Sequence, residues 1–339
     1  MEYGVYDRAF RQYCHSYRGK EEGSCTVYRI ENKTGRGELF CHDVFPGAQI
    51  IFNSLQLDTY DQKVRAGEDF LQINHCLEGC FEVELNGDLA GFLGEGDLAV
   101  NDPGKQPITN FRLPLGRYKG ITLLFELEPA QRVLKGRFPD SGIDLYLIRE
   151  KLCSGKELFL LRGRPETRAI FNELNHVDER VQEIYTLLKI VELLLFLSLM
   201  EDKTGEALPR FSRQVVEGTK GAWAFIMARP FKKTTIPELA GKFKVAETSL
   251  RQCFKSVYGQ PIGSFIRSER IRRSAQLLQE HGELSVGQIA LMVGYENQSK
   301  FAAAFKAVMG QTPLSYRRRN FRLHDRSELK LADLEWRTF

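Results

Sequence analysis

The side chains with most to offer a ligand lie in two short runs near the C-terminal end of the sequence. The first is Thr248, Ser249, Arg251, Gln252 and Lys255 in ETSLRQCFKSVY; the second is Gln298, Ser299, Lys300 and Lys306 in NQSKFAAAFKAVMG, with Arg317 following in YRRR. Their chemistry is recognition rather than bond-making. Arg and Gln carry paired groups that match the edges of guanine and adenine, while Lys, Ser and Thr supply contacts to phosphate oxygens. Thr248, Arg251 and Gln252 stand at i, i+3 and i+4, opposite Leu250 and Phe254, so a helix would present them on one face. The sequence contains no nucleotide-binding glycine loop, nucleophile elbow or helical His-Glu-x-x-His, so neither enzymatic activity nor a cofactor is expected.

The elements that must position these residues follow from apolar periodicity. Val286, Ile289, Ala290 and Val293 mark one side of a short supporting helix. Gly294 then sits where helices end in a left-handed residue, and a second helix restarts at Glu296 to Ser299 with Phe301, Phe305 and Val308 on its apolar stripe. The plan occurs twice: Ile236, Leu239, Ala240 and Phe243 precede a break at Lys244-Val245, then Glu247 to Tyr258 carries Leu250, Phe254 and Val257. These are two helix-turn-helix patterns in tandem. Between them Ser264 to His281 reads as a helix of about 18 residues, roughly 27 Å long, comparable to the ~34 Å turn of B-DNA. Charge marks the same segment: residues 210–320 hold 19 Lys and Arg against 7 Asp and Glu, whereas the whole chain holds 48 against 44, leaving the remainder net acidic.

The runs ELAGKFKVAETSLRQCFKSVYGQPIGSFI, RIRRSAQLL and IALMVGYENQSKFAAAFKAVMGQTPLSYRR resemble the AraC/XylS family of transcription regulators over roughly residues 215–320. The resemblance implies that bases are read from Thr248, Arg251 and Gln252 in the first half and from Gln298, Ser299 and Lys300 in the second, with double-stranded DNA as partner, RNA polymerase as a further one, and an activator role. One departure is the run Ala302-Ala303-Ala304, where family members carry polar or basic side chains. Alanine contacts at most a thymine methyl, so the first half is expected to supply most of the sequence discrimination and the second to hold phosphates; alternatively, the alanines only allow close backbone approach to DNA.

Upstream, from about Gln49 to Leu127, the period changes to two. Gln72-Ile73-Asn74, Phe81 to Leu85, Leu98-Ala99-Val100 and Ile121 to Leu127 read as strands, separated by turns at Asn86-Gly87-Asp88, Gly94 to Asp97 and Asp102-Pro103-Gly104. This spacing predicts an antiparallel barrel or jelly roll. INHCLEGCFEVELNGDLAGFLGEGDLAV is similar to the cupin-like sensor domain of such regulators, and in detail to the ferric-siderophore-responsive branch. The resemblance implies a small-molecule effector, and His75, Cys76 and Phe81 are the candidate pocket residues. An enzymatic cupin needs a His-x-His pair with a later Glu and His; His75 is followed by Cys76 and Leu77, and successive strand residues face opposite ways, so no metal site is expected. Cys76 and Cys80 share a face by parity, as core-filling thiols or, alternatively, as oxidant sensors.

Residues 166–202 read as two helices. In the second, Val181, Ile184, Leu188, Val191, Leu195 and Leu199 form one apolar stripe and Leu187, Ile190, Leu194 and Leu197 another. So wide an arc has more to bury than one barrel wall covers, and Leu188, Val191, Leu195 and Leu199 are expected to meet a second copy in a homodimer, the alternative being a helix sandwiched entirely within the monomer. The expected organisation is therefore an α+β chain: a cupin-like sensing barrel at 1–165, a helical dimerisation segment at 166–202, a flexible linker at 203–212, an all-α double helix-turn-helix domain at 213–320 and a tail at 321–339. No secretion-signal pattern or apolar run long enough to span a bilayer is present, and seven cysteines are an odd set, which together lead to the expectation of a cytoplasmic, reduced protein without a membrane partner. Two readings compete: a metal-dependent cupin enzyme fused to a DNA-binding module, and a ligand-independent DNA-architectural protein.

Overall fold

The computed structural model describes residues 17–22, 25–61, 69–85, 89–105, 110–154, 158–174, 181–200 and 208–319. The chain divides into two units, residues 1–216 with 256–259, and residues 217–255 with 260–339.

Among the described residues the first unit has twelve strands: β1 Tyr17–Glu22, β2 Cys25–Asn32, β3 Gly35–Phe45, β4 Ala48–Gln56, β5 Thr59–Asp61, β6 Phe70–Leu85, β7 Leu89–Gly94, β8 Leu98–Asn101, β9 Asn110–Arg112, β10 Tyr118–Glu126, β11 Phe159–Leu161 and β12 Phe211–Ser212. The described pairings are antiparallel, and the main path runs β1-β2-β3-β4-β10-β6-β7-β12. Strands β1 to β3 precede the segment whose alternation is evident in the sequence. The path does not return on itself among the described residues, so the sheet is open rather than the closed barrel expected. β6 explains the branching: its first part lies between β10 and β8, and its second part between β7 and β9, with a register shift opposite Lys119/Gly120. One long strand thus serves two sets of neighbours, and a bulge is the usual device for such a bend.

Both faces of this sheet are buried. Ile50, Leu71, Ile73, Leu98, Val100, Ile121, Leu123 and Phe125 face four helices, α1 Leu127–Arg137, α2 Leu145–Cys153, α3 Pro165–Leu174 and α4 Gln182–Ser198. Their neighbours in sequence, Ile51, Ala99 and Leu124, join Tyr28, Leu39, Phe81, Val83 and Tyr118 on the opposite, inner face. α4 buries the stripe Leu187, Ile190, Leu194 and Leu197 in the helix-covered core. Its other stripe remains open: Leu188 is 54% and Leu199 85% exposed, with Val181, Ile184 and Leu195 also exposed and Val191 half-buried.

The second unit continues with α5 Arg213–Ala228, whose first residues still belong to the first unit, then α6 Ile236–Phe243, α7 Glu247–Tyr258, α8 Ile262–Glu280, α9 Val286–Met292 and α10 Gln298–Met309, with residues 313–319 helical as well. Phe301 and Phe305 of α10 pack with Ile289, Ala290 and Val293 against Ile271, Ala275 and Leu278 of α8. Gly221 of α5 is required by close approach, because a Cβ there would stand 2.6 Å from the Phe243 ring.

His75 sits on the helix-covered face of β6, 1% exposed, its ring stacked at 4.2 Å on Phe171 of α3, and both ring nitrogens are buried without a hydrogen-bond partner. Burial, and then the positive charge of Arg168, lower its pKa from 6.5 to about 4. Folded His75 is therefore neutral where the unfolded chain takes up a proton, so its contribution to stability is complete above about pH 6.5 and is lost as pH falls towards 4. On this account unfolding free energy should drop by about 2 kcal/mol between pH 7 and pH 5 from this group. Urea titrations of wild type and His75→Phe at the two pH values check it; an equal drop in both would assign the dependence elsewhere.

Candidate nucleic-acid interface and inner sheet face

Each of the two candidate reading helices is set by the same local geometry. α6 starts at Thr235, whose side chain accepts from the Glu238 amide while Glu238 accepts from Thr235, and α9 starts with the same capping box at Ser285 and Gln288. At the turns, the Val245 amide donates to the Ala240 carbonyl at 3.1 Å, and the Tyr295 amide to the Ala290 carbonyl at 2.9 Å. The left-handed residue is Gly294 in the second turn, φ 87°, and Lys244 in the first, φ 53°. A lysine there costs about 1 kcal/mol or more over glycine, so the turn's hydrogen bonds and packing must hold it.

α7 then buries Leu250, Cys253, Phe254 and Val257 and exposes Thr248, Arg251, Gln252 and Lys255, with Ser249 half-buried. Arg251 lies 3.4 Å from Glu247 one turn earlier, an exposed pair that leaves the guanidinium on the open face. α10 is capped by Asn297, whose side chain accepts from the amides of Ser299 and Lys300 at 2.8 and 3.1 Å. Gln298, Ser299, Lys300, Ala303, Lys306 and Ala307 are exposed.

Three expectations change. Only Ala303 of the three alanines is exposed; Ala304 packs on the core of the second unit. Val308 lies outside the buried stripe at 36% exposure, and Met309 packs on that core instead. Arg317 is half-buried, with its Nε and Nη2 shielded from solvent and its charge near Glu283, whereas Arg318 and Arg319 are exposed. Arg270, of the connecting helix α8, donates to the carbonyls of Pro230 and Lys232 at 2.9 and 3.0 Å, a structural role rather than a displayed cation.

In the first unit the candidate pocket residues separate. Cys76 and Phe81 lie in the inner-face core, whereas His75 faces the helices. Burial and then the nearby Cys80, Asp97, Glu95 and Glu78 hold the Cys76 thiol well above its ordinary range, which disfavours the thiolate that oxidant sensing needs. The residues that sequence reasoning missed are polar ones on the same inner face. Asn53 donates to Thr122 Oγ1 (3.1 Å), Thr122 to Asn74 Oδ1 (2.9 Å), Asn74 to Asn101 Oδ1 (3.2 Å) and Asn101 to Gln72 Oε1 (3.3 Å), a ladder across β4, β10, β6 and β8. The signal was present as amides at alternate positions, Gln72 and Asn74, which periodicity alone assigns to solvent. Among the described residues no group of three His, Cys, Asp or Glu could hold a metal ion, and no helix is long and apolar enough to cross a membrane.

Residues 239–319 match the protein-family model described as a helix-turn-helix domain. The chain is 29% identical over 151 residues to a protein of Streptomyces antibioticus named as an AraC-like transcription regulator, covering 44% of this chain and 50% of that one. It is 27% identical over 162 residues to the HTH-type transcriptional activator RhaR of Klebsiella pneumoniae subsp. pneumoniae, covering 47% and 56%. The crystal structure of ToxT from Vibrio cholerae aligns with 80% of this chain and 98% of its own at 17% identity and a TM-score of 0.33, which supports no argument. The chain thus spans about half the length of these curated relatives. It carries a helix-turn-helix domain, and the relatives are named for transcriptional regulation, a non-enzymatic role.

The cap of α10 gives a test of the scaffold. Asn297→Ala removes the acceptor for two amides and should cost about 1 kcal/mol of stability in the second unit. Urea unfolding followed in the second unit measures it, and a loss below about 0.3 kcal/mol would show that solvent satisfies those amides as well.

Proposed function

We propose that this protein is a sequence-specific DNA-binding transcription regulator of the AraC/XylS type, acting as a homodimer under the control of a small molecule bound by the first unit. The observation that carries the reading is the repeated supporting-helix, turn and displayed-helix arrangement, with Thr248, Arg251 and Gln252 open on α7 and Ser299, Lys300 and Lys306 open on α10. Joined by α8, 19 residues and so about 28 Å long, the two can address successive major grooves. α7 offers bidentate donors and acceptors. α10 offers Ser299, Ala303 and Ala307 flanked by two lysines, suited to phosphates and to thymine methyl groups.

Selection of binding sites from a random duplex library should yield one sharp sequence box and one diffuse box a helical turn away. Arg251→Ala should lose about 1–3 kcal/mol on the selected site and relax one base position, whereas Lys300→Ala or Lys306→Ala should weaken all sequences alike and lower the salt slope by about one. Two equally sharp boxes, or uniform weakening by Arg251→Ala, would overturn this division; no DNA binding at all would overturn the function.

For the effector, the inner face is favoured over the His75 side. The ladder of Asn53, Gln72, Asn74, Asn101 and Thr122 carries no charge of its own and lies on the face that also holds Cys76 and Phe81, which suits an uncharged ligand rich in hydrogen-bonding groups. For the dimer, the support is the open stripe of α4, where Leu188, Leu195 and Leu199 are exposed in succession. Leu195→Glu should place a charge in that contact and give a folded monomer. Sedimentation checks this, and a wild-type chain already monomeric at micromolar concentration would sink the dimer.

A further inference from the structure

The segment expected to be a flexible linker ends instead as part of the first unit's sheet. Leu208 is 9% exposed and joins the inner-face core, in space that exists because residue 91 is glycine: a Cβ at Gly91 would collide with the Leu208 side chain. Phe211 is buried with its ring 6.0 Å from that of Phe92, and Phe211 and Ser212 pair with Ala90 and Leu89 of β7. Arg213, the first residue of α5, donates from Nη1 to Glu82 Oε1 at 2.7 Å and from Nη2 to Glu84 Oε1 at 2.8 Å. The Glu82 side chain is 1% exposed and the Arg213 side chain 24%, so the fork closes over a buried carboxylate at the edge of the sheet. Apolar anchor, strand pairing and ion pair follow one another within six residues, at the point where the chain leaves the first unit.

We propose that Leu208–Arg213 is a releasable latch, which when docked on β7 and β6 restrains α5 and when released frees the chain for DNA engagement. A two-residue strand is a weak pairing by itself, and its other supports are three side chains, those of Leu208, Phe211 and Arg213, so on this proposal the segment has two discrete arrangements at modest free-energy difference. Release liberates residues 208–216, which can extend by at most about 30 Å at ~3.3–3.6 Å per residue, comparable to one turn of duplex. A docked latch lowers the population competent to bind and so weakens apparent affinity for DNA by the docked fraction. Linkage makes the effect reciprocal: DNA that favours the released arrangement must loosen the latch by the factor by which loosening it strengthens DNA binding. The functional half of this proposal rests on the DNA-binding reading above; the docking itself does not.

The test is hydrogen exchange of the full-length chain read by mass spectrometry over residues 208–216, with and without a duplex carrying the library-selected site, together with the affinity of each variant for that duplex. Leu208→Ala and Glu84→Gln each weaken one support while keeping the buried Glu82–Arg213 pair; Arg213→Ala removes the fork. The expected result is at least a fivefold rise in exchange over 208–216 on adding DNA, and in the variants without DNA, while peptides of β10 keep their wild-type protection. Leu208→Ala should bind the duplex at least fivefold more tightly. If Arg213→Ala also exposes β10 it has unfolded the unit, and the other two variants decide. Exchange over 208–216 that is unprotected in wild type, or unchanged by DNA, or a Leu208→Ala affinity equal to or weaker than wild type, overturns the latch. Absence of DNA binding by wild type is a separate outcome that overturns the regulator reading and the latch's function together, while leaving the exchange protection of the docked segment to be read on its own.

Discussion

The sheet of the first unit must bury both of its faces, and most of its architecture follows from that. Adjacent residues on the same strand go to opposite cores: Ile50 and Ile51 on β4, Leu98 and Ala99 on β8, Leu123 and Leu124 on β10, Phe159 and Leu160 on β11. A strand with apolar groups on both sides cannot lie on the surface, because each exposed Leu or Ile forgoes about 1.5–3 kcal/mol of burial. One face is therefore covered by α1 to α4. The other is covered by the sheet's own continuation, which the branching of β6 makes possible. That same demand brings Leu208 and Phe211 onto β7: Leu208 fills inner-face core that the strands leave open, and the route out of the unit is fixed as a by-product of packing.

The polar ladder is a place where this logic is set aside. Asn101 and Thr122 are buried, and moving an amide or hydroxyl out of water costs several kcal/mol unless it is hydrogen-bonded. Here each is bonded to the next, so the cost is offset within the row, but an apolar row would have been simpler to bury. His75 offers the contrast. Its nitrogens are orphaned on the helix-covered side, and the ring survives there by stacking on Phe171 and by staying neutral, whereas the amides of the ladder are satisfied by one another.

The two turn-helix units were legible in the sequence because each of their determinants is local. Apolar residues at three- and four-residue spacing, a Ser or Thr followed three residues later by Gln or Glu, and Gly294 at the left-handed position all act within one or two helical turns. The two stripes of α4 were legible for the same reason. What sequence missed depends on partners far along the chain. Glu82 reads as the polar half of an alternating strand but is buried against Arg213, 131 residues later. Leu208 and Phe211 read as parts of a polar connector until Gly91 and Phe92 are brought beneath them. Arg317 follows a tyrosine in a basic run and reads as a displayed cation, yet it is half-buried with its charge near Glu283, next to Tyr316, which packs on Phe305.

On the proposed reading, similar scaffolding with different display gives the two helices separate tasks. Capping boxes on α6 and α9 and the same six-residue turn hydrogen bond precede α7 and α10, so the scaffold contributes little difference between them. The difference lies in what stands outward: Arg251 and Gln252 carry paired hydrogen-bonding groups, while Ala303 and Ala307 add no donor or acceptor beside the exposed Lys300 and Lys306. Phosphate contacts fix register without carrying sequence information. A chain built this way, on the proposed reading, draws its discrimination from one groove and its grip from both. Base changes under α10 then cost little, whereas a change in the spacing that α8 imposes displaces every lysine from its phosphate at once.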